Sequence, residues 1–135
     1  MQILVAISSI PLLNSVIGII SEVREGWIIG YLDNMPRATE LLNFMKPNVL
    51  IFDFQLWVSS KLDVIERIKK VVPYSKVVVV TGETLYPEYR NKSLDLGADL
   101  FFNLNHELDE FCRTLKQLDR EFAVCPDMQG FQIPE

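Results

Sequence analysis

The chain has 135 residues, 49% of them apolar and 23% charged, which is one domain's worth of chain with material for a real core. Its formal net charge of −5, with no basic stripe, argues against nucleic acid or an anionic membrane surface as a partner. Cys112 and Cys125 match no zinc spacing and read as idle thiols of a reducing cytosol, and no apolar stretch is long enough to span a membrane.

In chain order, Gln2 to Ile7 reads as a first strand, closed by Ser8 and Ser9. Either serine can cap the next helix, Pro11 suits its first turn, and the helix runs to about Val23. Leu13, Val16, Ile17 and Ile20 share one helical face, and Leu12 and Ile19 widen it. Such a stripe fits a helix buried on more than one side, or a face for self-association. Gly26 ends the helix, Trp27 to Leu32 forms the second strand, and Asp33 or Asn34 caps a short helix to about Met45.

Lys46 to Leu56, KPNVLIFDFQL, is the centre of the chain. A Pro-Asn turn signal leads into four apolar residues, then one carboxylate, Asp53. A short continuous apolar run fits a strand buried on both faces, with Asp53 at its carboxyl end. That edge is where ligands collect in open α/β sheets. Ser59 and Ser60 open another helix, stopped by Pro73. Lys76 to Val80 is the fourth strand, followed by Thr81-Gly82-Glu83. A helix from about Pro87 to Leu96 ends at Gly97, Asp99 to Leu104 is the fifth strand, and a last helix covers about Glu107 to Arg120. Of Phe101 and Phe102, alternation puts one in the core and the other on the surface. His106 reads as an exposed loop residue. Five alternations of strand and helix predict parallel strands with right-handed crossovers, a three-layer α/β/α sandwich. Residues 1–120 form the domain and 121–135 a tail or linker stub, which Phe122 and Phe131 tack to the surface.

The order of elements, with KPNVLIFDFQL, VVVVTGE and GADLFF, resembles a response-regulator receiver domain over residues 1 to about 118. The resemblance implies the flavodoxin-like strand order 2-1-3-4-5. It implies that Asp53 matches the residue that accepts a phosphoryl group from a histidine kinase. Thr81 matches the hydroxyl that swings to the acyl phosphate, and Phe101 the aromatic that moves with it. It also implies partners: a histidine kinase or phosphotransfer protein, an effector, or a second copy, through the surface from about Pro87 to Arg120.

The departures from that family matter as much. Receivers carry two adjacent acids after the first strand, which hold Mg²⁺ with the phosphoacceptor and a backbone carbonyl. Here those positions are Ser8 and Ser9, and Gln55 is left to give the carbonyl. Mg²⁺ wants anionic oxygens, and hydroxyls are poor substitutes. Receivers also carry a Lys after the fifth strand; here Leu104 stands there, with no charge and no donor. Phosphoryl transfer depends on positioning and electrostatic stabilisation, and each lost contact costs about 3 kcal/mol. Asn103, Asn105 or Glu83 would be partial substitutes. Trp57 and Lys61 stand where receivers have Pro and Gly, which predicts an altered loop path with an exposed aromatic.

The expectation is therefore an atypical, cytoplasmic receiver that is not an enzyme. It would act by protein contact, with at most weak Mg²⁺ binding. A working phosphoacceptor at Asp53 and a small-molecule-binding flavodoxin-like domain are the alternatives. Bland roles stand beside these: helix caps for Ser8 and Ser9, a turn for Thr81, and a hydrogen-bonded strand end for Asp53.

Overall fold

A computed structural model describes residues 1–59, 62–82 and 87–124. The elements are β1 (Ile3–Ala6), α1 (Ile10–Val23), β2 (Ile28–Leu32), α2 (Met35–Leu41), β3 (Val49–Asp53), α3 (Phe54–Ser59), α4 (Leu62–Val71), β4 (Lys76–Thr81), α5 (Pro87–Asp95), β5 (Leu100–Asn103) and α6 (Leu108–Val124). The five strands form one parallel sheet in the order β2-β1-β3-β4-β5. The expected α/β/α sandwich and strand order are thus the observed ones.

Strict alternation along the strands divides the core. Ile3, Val5, Ile51, Val78, Val80 and Phe102 face α1 and α6, where Val16, Ile20, Phe111 and Leu115 meet them. Leu4, Leu50, Phe52, Val77, Val79 and Phe101 face the other layer, where Ala38, Leu42, Trp57, Ile65 and Ile68 meet them. A parallel sheet covered on both faces leaves no outward side to a central strand, and its strands read as unbroken apolar runs. For this reason Phe101 and Phe102 are both buried, one in each layer, and the expectation of a surface phenylalanine fails. On α1, Leu13, Val16 and Ile20 are buried, while Leu12, Ile17 and Ile19 pack at the margin of the same core. The wide stripe is mostly spent inside the molecule; Ile10, in the first turn, is the exposed large residue of this helix.

Local chemistry sets the ends. Ser9 caps α1, its Oγ accepting from the Leu12 N–H, and Asn34 caps α2, its side chain accepting from the Arg37 N–H. Gly97 follows α5 with φ +108. The Ala98 N–H reaches back to the Ser93 carbonyl and the Gly97 N–H to Leu94, the paired bonds of a left-handed helix terminus. Asp99 then brackets the start of β4: its carboxylate accepts from the Val77 N–H at 2.7 Å and from Lys69 Nζ at 3.1 Å. The Gly-Ala-Asp lead-in is therefore a helix stop plus a strand-pairing clip.

Three expectations are corrected. The stretch after Asp53 is an additional short helix, α3, not a loop, and the helix expected after it follows as α4. Trp57 is fully buried instead of exposed, because residues 54 and 57 lie on one face of that short helix and turn inward. The last helix continues past Arg120 to Val124, and Phe122 is buried as part of it. Ser60, Lys61, Glu83, Cys125 and Phe131 lie outside the described residues. Among the described residues no helix is long and apolar enough to cross a membrane.

Candidate functional site

The carboxyl ends of β1, β3 and β4 open onto a cleft of about 330 Å³, lined among others by Ser8, Ser9, Asp53, Gln55, Thr81 and Asn105. Among the described residues that line it, Asp53 is the only acid, and no Lys or Arg reaches it.

Asp53 is 4% exposed and heavily engaged. Its Oδ2 accepts from the Ser8 N–H at 2.9 Å and from Ser8 Oγ at 2.7 Å. Its Oδ1 accepts from the Leu56 N–H at 2.7 Å. The last bond spans three residues and makes Asp53 the N-cap of α3, one of the residue types that serves a helix start best. A buried carboxylate needs such donors, and here they come from one backbone amide on each side and one hydroxyl.

The helix has a second effect. Gln55 lies in its first turn, and its carbonyl accepts from Ser59 Oγ at 2.7 Å. That oxygen is directed along α3. Ser9 Oγ is occupied as the cap of α1. Among the described residues no group of three His, Cys, Asp or Glu side chains comes together to hold a metal ion.

Thr81, at the end of β4, is buried and lines the cleft beside Asp53. Its carbonyl accepts from the Leu104 N–H at 2.8 Å. Leu104 packs against the α1–α6 core and does not line the cleft. Asn103 is completely buried, its Oδ1 accepting from the Asn105 N–H, while the Asn105 side-chain amide donates to the Gly82 carbonyl. His106 is exposed. On α6, burial pushes the half-buried Cys112 thiol up from its ordinary range, as suits an unreactive group.

Phe101 is 2% exposed and sits in the opposite layer from Leu104. It is covered by Arg90, a residue that sequence reasoning missed. The guanidinium lies 5.2 Å from the ring centroid, donates to the Phe101 carbonyl at 3.1 Å, and pairs with Glu107 at 2.7 Å. Seventeen positions separate Arg90 from Glu107, and no local spacing signals the pair. Where α5 meets α3, the Trp57 Nε1–H donates to the Ser93 carbonyl at 3.1 Å, and Tyr89 stacks on Phe54 at 4.0 Å.

No protein-family model matches the chain, and no curated protein does. Solved structures do. The N-terminal domain of an uncharacterized protein from Wolinella succinogenes is 21% identical, with a TM-score of 0.71 over 92% of this chain and 97% of that one. A CheY-like response regulator receiver domain protein from Methanospirillum hungatei is 22% identical, with a TM-score of 0.64 over 89% and 97%. A response regulator from Burkholderia pseudomallei, solved with a phosphorylated aspartic acid and a calcium ion, is 17% identical, with a TM-score of 0.63 over 92% and 74%. With the sheet order and the Asp53 edge already described, these likenesses identify the fold of the chain as that of CheY-like receiver domains.

Proposed function

We propose that the chain is a receiver-type signalling module of two-component systems that works by protein contact, with little or no Mg²⁺-dependent phosphorylation. The observation that carries this reading is the capture of Asp53 as the N-cap of α3, with both carboxylate oxygens taken by Ser8 and Leu56 donors. The donor set does not fit Mg²⁺. Hydroxyls replace two acids, the Gln55 carbonyl is turned into α3, and one carboxylate remains among the described residues of the cleft. Leu104, spent on core packing, supplies no cation for phosphoryl oxygens. In this reading the chain turns over no substrate, resides in the cytoplasm, and meets a histidine kinase or phosphotransfer protein, an effector, or a second copy of itself.

A working phosphoacceptor is the second reading. It is favoured by Asp53 and Thr81 lining one cleft, and by the phosphorylated aspartic acid of the Burkholderia pseudomallei neighbour.

Amide chemical shifts decide between the two. The chain is titrated with millimolar Mg²⁺, with and without beryllofluoride, a mimic of the acyl phosphate. The expected result is no saturable change at Asp53, Thr81 or Phe101. Saturable shifts that vanish in Asp53→Asn would establish the phosphoacceptor instead.

A further inference from the structure

We propose that the Arg90–Glu107 pair is a built-in lock, which holds Phe101 inward and α5 against β5 without any phosphoryl group. It rests on the reading of the chain as an unphosphorylated receiver, and it names what takes over the control of that surface.

The geometry closes a ring. Arg90 Nη1 donates to the Phe101 carbonyl at 3.1 Å, while Nη2 donates to both Glu107 oxygens at 2.8 and 2.7 Å. Glu107 Oε1 also accepts from the Asn103 N–H at 2.8 Å, and the Glu107 N–H returns a bond to the Asn103 carbonyl at 2.7 Å. The peptide groups on both sides of Phe102 are thus held by one ion pair. Charge-assisted hydrogen bonds are the stronger class, and those that share partners reinforce one another. The guanidinium also roofs the Phe101 ring at 5.2 Å, so the ring leaves the core only by displacing a cation from its face.

Toward α3, α5 is anchored by the Trp57 indole on the Ser93 carbonyl and by the stack of Tyr89 on Phe54. The family resemblance assigns the motion of the aromatic at Phe101 to a signal arriving at Thr81. Here Phe101 is already inside, and the contacts that keep it there come from α5 and from Glu107 in the turn before α6. The exposed residues of α5, among them Glu88, Asn91 and Lys92, are presented in one arrangement.

Two variants of the whole chain test this, Arg90→Met and the near-isosteric Glu107→Gln. Hydrogen exchange is followed at the amides of α5 and of residues 101–103, and the Phe101 ring is followed by NMR. Each variant is expected to lower protection at these amides about tenfold and to bring the Phe101 ring into exchange, with β1 and β3 protected as before. Unchanged protection and a single ring environment in Glu107→Gln would overturn the lock, and this variant decides if Arg90→Met does not fold. A response of the wild-type chain to Mg²⁺ and beryllofluoride at Asp53 and Thr81 would sink the unphosphorylated reading. The lock would still stand or fall on the two variants.

Discussion

The cleft at the end of β3 and the seam between α5 and β5 lie two strands apart on the same sheet. They are built from opposite materials. Among the described residues that line the cleft the charged group is single, and its partners are neutral: an amide and a hydroxyl of Ser8, and an amide of Leu56. The seam is dense with strong contacts, namely an ion pair, a guanidinium over a ring, a stacked aromatic pair and a buried indole. Among the described residues, charge is sparse in the cleft and concentrated in the seam.

Breaking the seam has the largest expected effect. Trp57 is completely buried, and Trp57→Ala removes its packing against Phe52 together with the bond to Ser93. A loss of about 4 kcal/mol is expected in urea unfolding; a loss below about 1 kcal/mol would mean that the seam is loosely packed. In the cleft, Asp53→Ala strips the cap from α3 and leaves Ser8 without its acceptor. It should cost about 2 kcal/mol. The sign is informative, because a carboxylate crowded by other acids would stabilise the fold on removal. A stabilised Asp53→Ala would therefore reveal acids near Asp53 that the reading excludes. The smallest effect belongs to Gln55→Ala, whose side chain is exposed on the cleft rim. Stability should change by less than about 0.5 kcal/mol. A larger loss would show that the rim takes part in holding α3.

Much of the frame was legible because its signals are local. The runs at Leu50 and Val78 are short, β-branched and bounded by turn residues, and Gly97 marks a helix end by chemistry that needs no tertiary context. The sheet order came from family resemblance, since periodicity does not order strands. Helix α3 escaped because six residues are too few to display a period, although Asp53 followed by Phe54 and Trp57 at a three-residue interval was a usable sign. Trp57 was misread for the same reason. The expectation that one of Phe101 and Phe102 lies on the surface came from treating β5 as half-covered, whereas both are buried. At the site, Asp53, Ser8 and Leu104 stood out by position. The grip of Ser8 on Asp53 depended on how two strands 45 residues apart meet, and Arg90 on a pairing between α5 and the β5–α6 turn. Neither leaves a trace in sequence spacing.

The bond between Ser8 and Asp53 also bears on how the chain finds its shape. β1 and β3 pair in parallel, with Ala6 opposite Phe52, and this alignment brings the Ser8 amide and hydroxyl to the carboxylate. A slip by one residue would turn every side chain of β1 to the wrong layer and would carry Ser8 away from its acceptor. Parallel neighbours joined by a long crossover are slow to search for one another, and wrong alignments expose apolar edges on the way. An acid at the end of the central strand thus serves as an alignment mark for the sheet, a task it performs whatever chemistry it carries.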